Sequence, residues 1–227
     1  MVDIQDDQPT FTIVMGCNGS GKTAWKRANR EVLAGVYLDL DTLADGVGDW
    51  DSEVTREEVA AFGEVLVEQC LNEHQSYGLE STYSDEQGVN QVTQAKEHGY
   101  RIHGYFLGTR SAEINLERIN QRVLLRTGHK GETELLAAYW YSSLVNLRRT
   151  VELFDELTIF DNSEDYNLGF EDLPALVFFQ HGHSTLLVKN RERPDWFKDW
   201  YVGWLKRKSQ LERQDRNGKE AKRPTSK

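Results

Sequence analysis

The sequence predicts an α/β fold: a largely parallel sheet of the P-loop NTPase type, sandwiched by helices and followed by a C-terminal hairpin and a Trp-rich helix. Three observations predict it. Short apolar runs of strand length alternate with longer segments of helical period, which implies right-handed crossovers between parallel strands. Glycine or proline bounds many of the runs. The first run is followed at once by a glycine-rich string that opens a helical segment.

The elements follow in order. Phe11-Thr12-Ile13-Val14-Met15, between Pro9 and Gly16, is a short buried strand. Residues 22–34 read as a helix and 36–40 as a second strand. Residues 55–74 carry Val59, Phe62, Leu66, Cys70 and Leu71 at helical spacing, with Thr55 and Glu58 placed as a capping box. A third strand at 77–82 and a helix at 84–97 come next, stopped by Gly99. The run 101–108 is a fourth strand, followed by helices at 111–126 and 133–154 and a fifth strand at 157–160. Residues 176–179 and 185–188, joined across Gly182, form a hairpin. The 194–208 segment is a helix with Trp196, Trp200 and Trp204 on one face, a packing stripe. One domain is expected over 1–205, with its core at 10–163 and the hairpin and helix appended at 174–205.

Composition bounds the function. The 227 residues carry a net charge of −10, yet 206–227 hold nine Lys or Arg against three Asp or Glu. That +6 segment is expected to be a disordered basic tail, and it leaves −16 on the remaining 205 residues. An acidic body repels nucleic-acid phosphates, so nucleic acid is a poor partner. No apolar run approaches the roughly 20 residues that span a bilayer, and the acidic N-terminus lacks the pattern of a secretory signal. Two cysteines, Cys17 and Cys70, make no disulfide framework, so a cytoplasmic setting is expected.

Chemistry concentrates at Gly16-Cys17-Asn18-Gly19-Ser20-Gly21-Lys22-Thr23, a full Walker A string between a strand and a helix. Its glycines allow positive φ and close approach of backbone N–H groups to phosphate oxygens, and the helix start adds partial positive charge. Lys22 is placed to reach β- and γ-phosphates of ATP or GTP, and Thr23 to ligate Mg²⁺. The sequence contains neither an Asn-Lys-x-Asp base-reading motif nor a Ser-Gly-Gly-Gln transporter signature, which leaves the small-kinase pattern. Asp41, in Asp39-Leu40-Asp41-Thr42, is a candidate general base for an acceptor hydroxyl; a helix cap is its alternative role. Glu80, in Glu80-Ser81-Thr82, is a candidate holder of the acceptor or of a Mg²⁺-bound water. Arg118, Arg122 and Arg126 lie on one helical face, either a clamp for a transferring phosphoryl group or a solvated face. His129 follows in a loop.

Together these motifs resemble the zeta-toxin family of P-loop kinases and its chromosomal relatives, from about Phe11 to Ser163. The pieces that match are Gly-x-Asn-Gly-Ser-Gly-Lys-Thr, Asp39–Thr42, Leu79-Glu80-Ser81-Thr82, Arg118-Ile119-x-x-Arg122-Val123 with Gly128-His129, Ser143–Leu147, and Asp161-Asn162-Ser163. The resemblance implies transfer of a γ-phosphoryl group to the 3′-hydroxyl of UDP-N-acetylglucosamine or a related UDP-amino sugar, opposed by an antitoxin protein. It implies that Asp41 is the catalytic base, that Glu80 and Thr82 lie on the substrate side, and that Arg118 and Arg122 bind phosphate. The chain departs from the family pattern at 126–131 and 138–142. Two other readings stay open from the residues: a nucleotide-switched binding module and a nucleic-acid end kinase.

Overall fold

In a computed structural model, the described residues are 8–33, 35–38, 53–125, 133–164, 174–182, 184–187 and 193–220. Among these residues seven strands make one sheet in the order β2-β3-β1-β4-β5-β6-β7. They are β1 (Thr10–Met15), β2 (Val36–Leu38), β3 (Tyr77–Ser81), β4 (Arg101–Gly108), β5 (Glu156–Asp161), β6 (Ala175–His181) and β7 (Ser184–Leu187). The first five are parallel; β6 and β7 add on antiparallel to β5 as the expected hairpin. The strand order reverses around β1, so the loop after β1 opens where flanking connections diverge, the usual ligand position in such sheets.

Among the described residues six helices flank the sheet: α1 (Lys22–Ala28), α2 (Glu53–Asn72), α3 (Glu86–Glu97), α4 (Ala112–Leu124), α5 (Leu136–Thr150) and α6 (Asp195–Glu220). The larger core buries Phe11, Ile13, Ile102, Leu157 and Phe178 beneath α2, α3, α5 and α6. Here the tryptophan stripe packs as expected, with Trp196, Trp200 and Trp204 buried and Phe178 edge-on to Trp200 and Trp204. The opposite face carries a smaller cluster of Val14, Trp25 and Leu107 under α1. No described helix is long and apolar enough to cross a membrane.

Three boundaries differ from the sequence expectation. The first helix ends at Ala28, because the Asn29 amide donates to the Trp25 carbonyl and a 3₁₀ turn, Arg30–Val32, takes over. The helix α2 starts at Glu53, so Thr55 lies inside it rather than at its cap. Most consequentially, α6 runs on to Glu220. The expected disordered tail is corrected over 206–220, where Lys, Arg, Gln and Glu are good helix formers and extend a helix already anchored by its tryptophans.

Candidate functional site

The C-terminal ends of β1, β3, β4 and β5 share one edge of the sheet, and the glycine-rich loop lies among them. The loop is gripped from several elements. The Gly16 N–H donates to the Ser81 carbonyl at the end of β3 (3.2 Å), and the Cys17 thiol faces the Leu136 carbonyl of α5 (3.8 Å). Gly19 has φ +80°, and a β-carbon there would lie 2.4 Å from the Asn115 carbonyl of α4. Gly21 has φ +99°, and its β-carbon would meet the Asn162 amide nitrogen at 2.3 Å. Only glycine suits both positions, on conformation and on space alike. Asn162 Nδ2 donates to the Ser20 carbonyl (2.7 Å), its backbone N–H donates to the Gly108 carbonyl, and its own carbonyl accepts from Arg118.

Lys22 begins α1 and is 5% exposed. Its ammonium donates to the Gly16 carbonyl (2.8 Å) and the Cys17 carbonyl (3.4 Å), and stands 3.7 Å from Glu80. The second carboxylate oxygen of Glu80 is 3.4 Å from Lys26. The hydroxyl of Ser20, in the middle of the loop, is buried and has no hydrogen-bond partner. A buried cation and an unmatched hydroxyl inside a cradle too tight for β-carbons fit the phosphates of a nucleotide. Thr23 follows Lys22 in the first turn of α1 and is half-buried, where a Mg²⁺ ligand would be placed. Burial pushes the Cys17 thiol above its ordinary value, and the nearby Lys22, Asn115 and Asn18 N–H only partly offset it.

The loop after β3 is held just as firmly. Tyr83 is fully buried at φ +57°, a strained conformation for a bulky residue. Its N–H donates to Ser81 Oγ, its hydroxyl pairs with Thr150 Oγ1 (2.8 Å), and its carbonyl accepts from Asn146 Nδ2, which also bonds the Asp85 carbonyl. Thr82 therefore sits in a fixed loop, its hydroxyl 2.8 Å from Ser84 Oγ. After β4, the Thr109 carbonyl accepts from Trp140 Nε1, and Thr109 Oγ1 bonds Asn115 Oδ1 (2.6 Å). After β5, Asp161 accepts from Trp196 Nε1 and Ser163 Oγ.

The structure thus brings together Gly16, Asn18, Gly19, Ser20, Gly21, Lys22, Thr23 and Glu80, with Thr82 two residues on. Arg118 is half-buried, and its guanidinium donates to the Asn162 and Glu164 carbonyls (2.8 and 2.9 Å). Arg122 is exposed one turn further along α4. Asp41, Arg126 and His129 lie outside the described residues. Sequence reasoning missed Lys26, although its spacing of four from Lys22 was a signal for a shared helix face. It also assigned no role to Asn162 and Asn146.

A mixed sheet in this order, with its first five strands parallel and a glycine-rich loop between β1 and α1, is a kinase-like P-loop α/β fold. The chain belongs to the zeta toxin family, whose sequence model matches residues 2–168. It is 28% identical over 108 residues to an uncharacterized protein of Haemophilus influenzae, a match covering 48% of this chain and 76% of that one. Among solved structures, the AvrRxo1-ORF1:AvrRxo1-ORF2 complex with sulphate ions is similar at TM-score 0.60 and 14% identity, over 79% of this chain. The chain spans 61% of the length of that AvrRxo1 chain. A structure of the PezAT chromosomal toxin–antitoxin system of Streptococcus pneumoniae matches at TM-score 0.54 and 16% identity, over 90% of this chain and 87% of that one.

Proposed function

We propose that the protein transfers the γ-phosphoryl group of ATP or GTP to a hydroxyl of a nucleotide sugar, with UDP-N-acetylglucosamine the acceptor to which the family resemblance points. One observation carries the reading. Lys22 is buried at the centre of a cradle formed by the glycine-rich loop, with Glu80 of the neighbouring strand end 3.7 Å away. A phosphate-binding cation beside a strand-end carboxylate is the arrangement in which donor and acceptor sites adjoin.

The roles follow from the residues. Lys22 meets the β- and γ-phosphates, the glycine-rich loop cradles their oxygens, and Thr23 would hold Mg²⁺, which would neutralise developing charge. Glu80 and Thr82 face the acceptor. Asp41 accepts the proton of the acceptor hydroxyl as the new P–O bond forms. Arg118 and Arg122 stabilise charge on the transferring group. An antitoxin protein is the proposed partner, in keeping with the toxin–antitoxin system to which the PezAT structure belongs, and a reducing cytoplasm suits the two free cysteines.

The test incubates the protein with Mg²⁺, labelled ATP or GTP and a panel of UDP-sugars, and follows product by mass. Wild type should phosphorylate UDP-N-acetylglucosamine, Lys22→Ala should lose nucleotide binding and transfer, and Asp41→Asn should lose transfer by about 10²-fold or more with binding kept. Transfer to none of the sugars, or slow hydrolysis indifferent to any acceptor, defeats the assignment. Phosphorylation of a nucleic-acid 5′ end in their place would make it an end kinase.

A further inference from the structure

A second lysine stands where the proposed reaction has no use for one. Lys26 lies one turn beyond Lys22 on α1 and is only 7% exposed, a burial that lysine tolerates when paired. Two neighbouring strands hold its ammonium. Glu80 of β3 lies 3.4 Å away, and the Tyr37 ring of β2 lies beneath it with its centroid at 4.8 Å. Tyr37 has room because its partner in register is Gly78, where a β-carbon would press on the ring at 3.0 Å. The Glu80 carboxylate is thus shared, one oxygen toward Lys22 and the other toward Lys26.

This arrangement matters when a nucleotide arrives. Lys22 then leaves Glu80 for the phosphates, and a half-buried carboxylate would be left beside several negative charges. Repulsion of that kind is strong in a poorly solvated site. We propose that Lys26 is a positioning residue for nucleotide binding that acts through Glu80: it remains as the counter-charge of that carboxylate and holds it in place once Lys22 has turned to the phosphates. The inference rests on the nucleotide reading of the loop, and its test separates the two.

The test measures Mg-ATP affinity by calorimetry on the full chain for wild type, Lys22→Ala, Lys26→Met, Lys26→Arg, Glu80→Gln and the double variant Lys26→Met/Glu80→Gln. Lys26→Met should weaken binding about tenfold or more, because it strands the carboxylate. Lys26→Arg, which keeps the charge, should restore most of the loss. Glu80→Gln supplies the background in which no carboxylate is left to strand. In that background Lys26→Met should change affinity by less than about threefold, the non-additivity expected when Lys26 acts through Glu80. If Lys26→Met does not fold, Lys26→Gln carries the same expectation. Equal losses in both backgrounds would overturn the proposal, since Lys26 would then touch phosphate itself or merely support the fold. No loss in Lys26→Met, with binding abolished in Lys22→Ala, would overturn it while sparing the nucleotide reading. Equal binding by wild type and Lys22→Ala would end both.

Discussion

Asn162, outside the glycine-rich loop, holds the loop through the carbonyl of Ser20. It is 4% exposed, and its side-chain amide donates to the carbonyl of Ser20, itself 1% exposed. Asn162→Ala removes that donor and leaves a buried acceptor that water does not reach, at a cost of about 1–3 kcal/mol. For a chain of this size each kcal/mol moves Tm by about 2–4 °C, so the unliganded protein should melt roughly 2–12 °C lower. Asn162→Asp keeps the shape but sets a carboxylate oxygen against the Ser20 carbonyl, and should cost more than Ala. Both variants should also bind Mg-ATP more weakly, because the loop must now be ordered by the ligand. Thermal melts with and without Mg-ATP, read with circular dichroism, measure the two effects together. If both variants melt within about 1 °C of wild type, the amide does not hold Ser20 and the reasoning fails.

Three further outcomes are expected. Gly108→Ala would put a β-carbon 2.3 Å from the Trp196 ring and should destabilise by about 1–3 kcal/mol, partly rescued by Trp196→Phe in a denaturant-melt double-mutant cycle. Acid should weaken the fold in two stages. Burial holds His103 below its ordinary value of 6.5 against the pull of Glu156, so its contribution is full above 6.5 and is lost as pH falls from there through the lower folded value. Burial pushes Asp155 up, but Lys96 and the Ile102 N–H outweigh it and leave the group below its ordinary 3.8; its contribution is present above that value and is lost as pH falls further. A Tm–pH profile checks both, with His103→Gln flattening the first decline and Asp155→Asn the second. Finally, Arg118→Ala should lower both stability, by about 1 kcal/mol, and acceptor-dependent turnover. Arg122→Ala should lower turnover alone, and unchanged turnover in both returns α4 to a structural role.

What the sequence made legible was local. The glycine-rich string carries its own conformational demands, so its place between strand and helix could be read directly. Alternating runs found each of the described strands, because each is bounded within a few residues by turn chemistry such as Gly182, which stands at φ +55° in the hairpin. The tail was misjudged because charge was weighed and helix propensity was not, although 206–220 is rich in good helix formers. Lys26 was passed over because a lysine on a helix reads as solvent-facing until the Glu80 strand is laid beside it. Asn146 and Asn162 were beyond reach for another reason. Their partners are 63 and 142 residues away in sequence, and nothing local marks an asparagine that caps a distant loop.

A further set of distant contacts, that of Asn146 among them, converges on α5. At its start, the Leu136 carbonyl meets the Cys17 thiol in the loop after β1. One turn on, Trp140 holds the Thr109 carbonyl after β4. Further along, Asn146 and Thr150 hold Tyr83 and Asp85 after β3. A single helix therefore sets the relative positions of three loops on the sheet edge where donor and acceptor would meet. The strained Tyr83 backbone fits this arrangement, since a left-handed bulky residue costs about 1–3 kcal/mol and persists only where its surroundings over-determine it. Here a buried hydroxyl pair and two carbonyl bonds from α5 do so. Because transfer requires reacting atoms to approach within a few tenths of an ångström of the right geometry, a helix that fixes three loops at once bears on catalysis without touching a phosphate.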